Sequence, residues 1–279
     1  AWLACAAKMA AAGKAAAGPL YGTAFGRTVL GRGAGGDRTL EVDRACETVM
    51  REVLAQEAPG PFLLVSEEAG TVGETGAAWR VVMDPLDGSL NAKRGLEPFA
   101  GSIAVADGPT LDSVRIAYVE DYARSHVFSA VRGAGLYEPT LSPDRYARRF
   151  VELVLIEVGR PDRHHFRYHD LSALGAVGRS RDMRVRQIGS LALALCYVAV
   201  GVADVLLAAV RSRSVDVAAG LRILAESGGG AAALDDADLW AQPLDLEKRH
   251  PFIAWRAGLD GEEILARIEE LRLEVTRRV

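Results

Sequence analysis

The stretch VVMDPLDGSLN, residues 81–91, places two aspartates three residues apart, directly after a β-branched apolar run. Pro85 restricts its own backbone and Gly88 permits a tight reversal, so a stiff turn is predicted to follow a strand. Asp84 and Asp87 are then expected to converge on one point. Since unpaired acids are costly to bury, the turn is predicted to meet a cation or solvent.

The same turn is consistent with a cation site beside an anion site. The carbonyl of Leu86 lies between the two aspartates, so three oxygen groups are available to a metal ion. The amides of Gly88 and Ser89 open the next segment, where backbone donors favour a phosphate. Together these features suit phosphoryl transfer. The alternative is a plain turn in which both aspartates cap backbone N–H groups, because Asp, Pro and Gly are common turn residues.

Composition indicates an ordinary folded protein. Of 279 residues, 49% are hydrophobic and 25% charged, which supplies ample material for a core. The formal net charge of −4 gives no electrostatic reason to expect nucleic acid as a partner. The three cysteines, Cys5, Cys46 and Cys196, match neither a disulfide framework nor a zinc motif, so a cytoplasmic location is predicted.

The sequence predicts no membrane span. Its longest apolar stretch, 191–203, has 13 residues, whereas a spanning helix needs roughly 18 or more. The alanine-rich start, residues 1–18, is like a signal peptide in composition. Lys8 and Lys14 interrupt its apolar centre, however, so a surface helix is predicted instead.

Helices and strands are predicted in a mixed order, which favours a layered α/β or α+β architecture. The predicted helices cover 1–18, 41–56, 189–201, 214–230 and 260–275. The predicted strands lie within 62–66, 79–84, 99–108, 114–137, 150–159, 203–210 and 251–257. Residues 31–39 contain too many glycines for regular structure and are expected to form a mobile loop. A boundary near residue 145 predicts an N-terminal α+β domain, 1–145, with most metal ligands, and a C-terminal α/β domain, 146–279, with Asp216.

Several further acids are candidates for the same site. Glu67 and Glu68 end a predicted strand, Asp216 precedes a helix, and Asp43 lies on the first turn of another helix. Each has a simpler interpretation alone: a solvated strand end, an N-cap, or a charge that complements the helix dipole. Taken together with the 84–87 turn, they indicate one acidic constellation.

The segments SEEAG (66–70), DPLDGSLN (84–91) and VDVAAGLRILAESGG (215–229) resemble the inositol monophosphatase family of magnesium-dependent phosphatases. GRGAGGDRTLEVDRACE (31–47) and RVRQIGSLALALCYVAVG (184–201) look most like its archaeal-type branch, whose members commonly act on both fructose-1,6-bisphosphate and inositol phosphates. The resemblance implies a layered α-β-α-β-α sandwich of the sugar phosphatase type, an α+β fold, and a homodimer.

The resemblance also implies a set of metal ligands. Glu67, Asp84 and the Leu86 carbonyl would hold one Mg²⁺, while Asp84, Asp87 and Asp216 would hold a second. Two to three Mg²⁺ ions are therefore expected, and Mn²⁺ is expected to substitute. All-oxygen ligation independently favours these ions over zinc, since no histidine or cysteine lies near the motifs.

Other positions of the family pattern carry catalytic roles. The resemblance assigns Asp43 and Ser89 to the attacking water, with Ser89 in the place of the family's threonine. Asp37 lies two residues after the family's acidic position in the glycine-rich loop and is assigned to a third, loosely held metal. With Glu67, these residues form the predicted catalytic group, while Asp87 and the Gly88 and Ser89 amides are expected to contact substrate.

Three features bear on the substrate. Seven positions before Asp216, where the inositol-specific branch carries a glutamate, this chain has Ala209, which weakens a purely inositol-directed interpretation. Arg184 and Arg186 suit a second phosphate, because the guanidinium fork matches phosphate oxygens; the alternative is a solvated strand edge. Residues 160–169, RPDRHHFRYH, either sense substrate charge or form a solvent-facing loop.

The predicted function is therefore that of a Mg²⁺-dependent phosphomonoesterase acting on a small-molecule phosphate ester. Fructose-1,6-bisphosphate is the first expected substrate and inositol-1-phosphate the second. Two alternatives stay open: a phosphatase for adenosine 3′,5′-bisphosphate or histidinol phosphate, and a non-catalytic regulatory protein on the same scaffold. Neither nucleic acid nor a membrane is expected as a partner.

Overall fold

The computed structural model describes residues 1–137, 139–141, 150–158, 174–175, 177, 183–235 and 237–268. The helices in this part of the chain are α1 (Trp2–Ala17), α2 (Glu41–Glu57), α3 (Ser89–Arg94), α4 (Leu191–Ala199), α5 (Ser214–Glu226) and α6 (Gly261–Arg267), with a 3₁₀ turn at Leu111–Ser113. The strands are β1 (Val29–Arg32), β2 (Arg38–Leu40), β3 (Phe62–Ser66), β4 (Gly70–Gly73), β5 (Trp79–Asp87), β6 (Ala100–Ala106), β7 (Val114–Asp121), β8 (Val127–Val131), β9 (Gly135–Leu136), β10 (Leu153–Glu157), β11 (Arg184–Arg186), β12 (Val205–Ala208), β13 (Gly230–Ala233) and β14 (Phe252–Trp255).

A large sheet carries the 81–91 stretch, in the strand order β4-β3-β5-β6-β7-β8-β9. Only the β3–β5 pair is parallel among these named neighbours. Successive residues of β5 point to opposite faces. Val81 and Met83 pack with α1 and α2, whereas Val82 packs with α4 and α5. Both faces of this sheet are therefore covered by helices.

A smaller sheet has the strand order β11-β10-β12-β14-β13. Along β12, Leu206 and Ala208 join the core that contains α4 and α5, while Val205 and Leu207 join the core that contains Ile264 of α6. Helices α4 and α5 thus lie between the two sheets. The resulting order, helix–sheet–helix–sheet–helix, confirms the layered sandwich expected from the sequence.

The glycine-rich segment 31–39 corrects one expectation. Its ends form a short antiparallel hairpin, β1 with β2, instead of an irregular loop throughout. These strands have only four and three residues and flank the glycines of 33–36, so the pattern gave no signal for them. The edge strands β4 and β13 were hidden by their own glycines, because each begins with glycine, which has low strand propensity.

The 84–87 segment corrects a second expectation. β5 continues to Asp87 instead of ending at Asp84, and its register against β6 shifts between these two residues. This irregularity accommodates Pro85, since proline is tolerated in sheets at bulges. The tight reversal follows at Gly88, which has a left-handed backbone with φ 95°. Helix α5 begins at Ser214, so Asp216 is its third residue and does not precede the helix as expected.

Some expectations fall outside the described residues. The predicted domain boundary near 145 lies within 142–149, and the basic segment 160–169 and the end of the last helix lie in undescribed residues as well. The division into two domains stays a prediction. Among the described helices, none combines the length and the apolarity needed to cross a bilayer.

Candidate metal centre and active site

Three carboxylates from separate elements meet in space. Glu67 directly follows β3, and Asp84 lies on the neighbouring parallel strand β5. The register pairs Ser66 with Met83, so the next residue of each chain segment is one of these two acids. Asp216 comes from the first turn of α5. One oxygen from each of the three carboxylates lies within 4.8 Å of the others.

The backbone between Asp84 and Ser89 is shaped by two hydrogen bonds. The N–H of Leu86 donates to Oδ1 of Asp84 at 2.9 Å, and the hydroxyl of Ser89 donates to the Leu86 carbonyl at 3.0 Å. Gly88 is required at the reversal, because an added Cβ would lie 3.2 Å from the carbonyl oxygen of Gly189. This close approach brings the 189–190 segment of the later half of the chain against the turn.

Asp87 lies beside the trio but is bound elsewhere. Its Oδ2 accepts hydrogen bonds from the Ser190 hydroxyl at 2.6 Å and from the backbone N–H of Ala192 at 2.7 Å. Asp87 therefore caps the start of α4, where the helix dipole favours a negative charge. Nothing in the sequence indicated this contact between Ser190 and Asp87, which lie 103 positions apart in the chain.

Burial disfavours the ionised form of these carboxylates. It raises the pKa of Glu67 to about 8 and the pKa of Asp87 to about 7, with repulsion from Asp216 adding to both shifts. The pKa of Asp84, which is buried, is raised well above its ordinary value by burial and then by Glu67 and Asp87. Clustered, desolvated acids of this kind favour a bound cation.

One side-chain cation already lies among them. Nη2 of Arg213 is 2.7 Å from Oε1 of Glu67 and 3.1 Å from Oδ1 of Asp216, and the arginine side chain is only 8% exposed. Sequence reasoning missed this residue. The available signal was a basic residue three positions before a predicted ligand, in a chain that has to bury several acids together.

Asp43 lies on the first turn of α2, as predicted. Its Oδ2 accepts a hydrogen bond from the N–H of Leu40 at 2.8 Å. Its Oδ1 is buried and has no hydrogen-bond partner within the described part of the chain. Burial raises the pKa of Asp43 to about 6, and the hydrogen bond from Leu40 and then the nearby hydroxyl of Ser89 counteract part of that shift. The structure therefore brings the two predicted water-positioning residues close to each other.

The remaining predicted residues lie at the margin. Asp37 is half exposed and is bound 3.1 Å from Nη1 of Arg213 and 3.5 Å from Nζ of Lys248, so it reaches the trio only through the arginine. Arg184 and Arg186 are exposed on β11, the edge strand of the smaller sheet. Their position agrees with the strand edge that the sequence left open, and a phosphate-binding role for them stays a prediction.

The donor set fits a hard divalent cation. Carboxylate and carbonyl oxygens are the ligands that Mg²⁺ and Mn²⁺ prefer. The trio supplies three such groups, and the unpartnered Oδ1 of Asp43 lacks the hydrogen bond that a buried oxygen normally has. Among the described residues, no histidine or cysteine belongs to the cluster.

Comparison with known proteins identifies the family. The sequence profile of the inositol monophosphatase family matches residues 2–272. The chain belongs to the inositol monophosphatase family. A fructose-1,6-bisphosphatase/inositol-1-monophosphatase of Thermococcus kodakarensis is 31% identical over 216 residues, which is 76% of this chain and 75% of the relative. A Nus factor SuhB of Xylella fastidiosa is 32% identical over 72% of this chain and 71% of that protein.

Comparison of this structure with solved structures finds the same fold. A crystal structure described as an inositol monophosphatase–fructose 1,6-bisphosphatase superposes with a TM-score of 0.77 at 23% identity, covering 97% of this chain and 99% of the other. At that identity the likeness establishes the fold alone. Family membership and the curated relatives together indicate a phosphoric monoester hydrolase that acts on small phosphate esters.

Proposed function

We propose that this member of the inositol monophosphatase family is a Mg²⁺-dependent phosphomonoesterase of sugar or inositol phosphates. The observation that carries the proposal is the meeting of Glu67, Asp84 and Asp216 within 4.8 Å, from the end of β3, from β5 and from α5. Such a cluster, with Asp84 buried and the other two acids half-buried, is costly unless it has a functional partner. Glu67, Asp84, the Leu86 carbonyl, Asp87 and Asp216 would hold two to three Mg²⁺ ions, with Mn²⁺ as a substitute.

The bound cations would neutralise the phosphate dianion and lower the pKa of a water molecule. Asp43 and Ser89 would orient that water for in-line attack. With a pKa of about 6, Asp43 is mainly ionised at neutral pH and can accept the proton that the water loses. The amides of Gly88 and Ser89 would donate to phosphate oxygens at the start of α3. Attack by water requires no covalent enzyme intermediate.

Fructose-1,6-bisphosphate is the proposed first substrate and inositol-1-phosphate the second. The relative from Thermococcus kodakarensis is named for both activities. Ala209 supports this order, because an alanine offers no carboxylate to the hydroxyls of an inositol ring. Arg184 and Arg186, both exposed, are the proposed contacts for the second phosphate of the sugar.

Adenosine 3′,5′-bisphosphate and histidinol phosphate remain rival substrates, because they would use the same carboxylates. The regulatory alternative has separate support, since several relatives are named as the Nus factor SuhB. The carboxylate trio argues for catalysis, because a purely binding protein gains nothing from burying these acids together. Together with the enzymatic function, we propose that the protein is a homodimer and is located in the cytoplasm.

The direct test is phosphate release from a panel of sugar, inositol and nucleotide phosphates, each with Mg²⁺ and with EDTA. We expect release from fructose-1,6-bisphosphate and inositol-1-phosphate, and its loss with EDTA. A preference for a nucleotide phosphate or histidinol phosphate would overturn the substrate assignment. No release from any ester would overturn the enzymatic proposal and favour the regulatory alternative.

A matched pair of variants locates the site. Asp84→Asn removes one charge of the trio at constant shape and is expected to abolish phosphate release without unfolding the chain. Asp121→Asn is the control, because Asp121 is equally buried but binds the backbone amides of Ala123 and Arg124. The control is expected to keep its activity. An active Asp84→Asn enzyme would refute the assigned role.

A further inference from the structure

The guanidinium of Arg213 binds the oxygens that the proposed metal ions require. Its Nη2 contacts Oε1 of Glu67 at 2.7 Å and Oδ1 of Asp216 at 3.1 Å. Both contacts are ion pairs, and the contact with Asp216 is also a hydrogen bond. A cation coordinated by Glu67 and Asp216 needs lone pairs on the same carboxylates. The arginine and a divalent ion therefore compete for the same acids.

The position of Arg213 is built into the surrounding backbone. Arg213 precedes the first residue of α5, and its backbone N–H donates to Oδ2 of Asp216 at 2.8 Å. Its Nη1 donates to the carbonyl of Gly35 at 3.3 Å, and a Cβ on Gly35 would lie only 2.4 Å from that nitrogen. The glycine-rich hairpin thus leaves room for the guanidinium and pairs with it.

The side chain also has a third carboxylate partner, away from the trio. Nη1 is 3.1 Å from Oδ2 of Asp37, whose side chain is 51% exposed. A guanidinium that leaves Glu67 and Asp216 can keep its contact with Asp37 while the methylene groups of the side chain move little. Arginine does not lose its proton in proteins, so it can give up the two carboxylates only by moving.

From this geometry we propose that Arg213 is a positioning residue that holds Glu67 and Asp216 together before the first divalent ion binds, and that it must be displaced from them by that ion. Arg213 thereby lowers the affinity for metal while stabilising the protein that carries none. The inference rests on the metal dependence proposed above. A metal ligand raises the affinity for the ion, whereas Arg213 is inferred to lower it.

The test is isothermal titration of EDTA-treated, dialysed full-length protein with Mn²⁺, for wild type and for Arg213→Gln. The variant loses two ion pairs that oppose metal binding, so its dissociation constant is expected to fall by about tenfold, or ~1.4 kcal/mol. In EDTA its melting temperature is expected to fall by about 3 °C or more. The increase in melting temperature on adding Mn²⁺ is therefore expected to be larger than in wild type.

Two further variants keep the test decisive. Arg213→Lys retains a positive charge without the fork and is expected to give intermediate affinity and intermediate stability in EDTA. It also serves if Arg213→Gln does not fold. Arg222→Gln is the matched control, because Arg222 is a similarly buried arginine of α5 whose partners are Asp112 and Glu226. It is expected to lower the melting temperature without changing Mn²⁺ affinity.

The outcomes separate the two proposals. Unchanged or weaker Mn²⁺ binding in the Arg213 variants, with normal binding in wild type, would overturn the inference and leave the proposed function standing. Tighter binding in Arg222→Gln as well would overturn it too, because the effect would then be a general result of lost stability. Wild-type protein that binds no Mn²⁺ would overturn both proposals.

Discussion

Replacing Asp84 by asparagine should raise the stability of the protein in EDTA while it abolishes activity. Asp84 is 2% exposed, and its pKa is raised well above the ordinary value by burial and by neighbouring acids. Asparagine has the same shape and no charge, and its side-chain oxygen can still accept the Leu86 N–H that now lies 2.9 Å from Oδ1. The substitution therefore removes an electrostatic cost and keeps a hydrogen bond.

The size of the effect follows from proton linkage. An acid whose pKa is higher in the folded than in the unfolded protein binds protons more tightly when folded, so stability falls as pH rises from the unfolded pKa towards the folded one. Burial, and then the neighbouring acids Glu67 and Asp87, raise the pKa of Asp84 well above its ordinary value, so near neutral pH the folded protein without metal either buries a charge or takes up a proton. Asparagine avoids this cost. Removing the uncompensated buried group is expected to stabilise the protein in EDTA by about 2 kcal/mol.

Thermal unfolding in EDTA measures this gain. For a chain of this size, about 2 kcal/mol corresponds to an increase in melting temperature of roughly 4–8 °C. The increase should be largest near pH 7.5 and should shrink at pH 5, where the wild-type group takes up its proton at lower cost. A variant that melts at or below the wild-type temperature, or a gain that is the same at both pH values, would refute the reasoning.

Three further outcomes follow from the same site. Burial raises the pKa of Glu67 to about 8 and the pKa of Asp87 to about 7, so Mn²⁺ binding should displace protons and should tighten from pH 6 to pH 8. Calorimetric titration in two buffers of different ionisation enthalpy checks the proton release. Equal heats of binding in both buffers would contradict it. Asp43→Asn should lower kcat by roughly a hundredfold or more. The Mn²⁺ affinity should stay within about threefold of wild type, since Asp43 lies outside the trio. A large loss of Mn²⁺ affinity would show that Asp43 is a metal ligand instead. Gly88→Ala should destabilise the protein by about 1–3 kcal/mol in chemical denaturation. The reason is that φ of Gly88 is 95° and that the added Cβ would lie 3.2 Å from the carbonyl oxygen of Gly189. An unchanged unfolding midpoint would show that the turn can relax.

Much of the architecture could be predicted from local patterns. The alternation of Val81, Val82 and Met83 between two cores is a property of any strand, so an apolar run here implied a sheet covered on both faces. The spacing of Val42, Cys46, Val49, Met50 and Val53 likewise predicts one apolar face of α2, and of these residues Val42, Cys46 and Met50 are buried. Strands that contain glycine, such as β4 and β13, were missed because pairing with a neighbour, and not their own side chains, makes them strands.

The sequence by itself determined the chemical type of this site: oxygen ligands on a proline–glycine segment, with further acids at the ends of elements. Tertiary structure alone decided which groups meet. Asp87 pairs with Ser190 and Glu67 with Arg213 only because two sheets enclose α4 and α5 and bring distant segments together. Local spacing encodes period and turn, which depend on neighbouring residues, whereas a contact across more than a hundred residues depends on how whole layers pack.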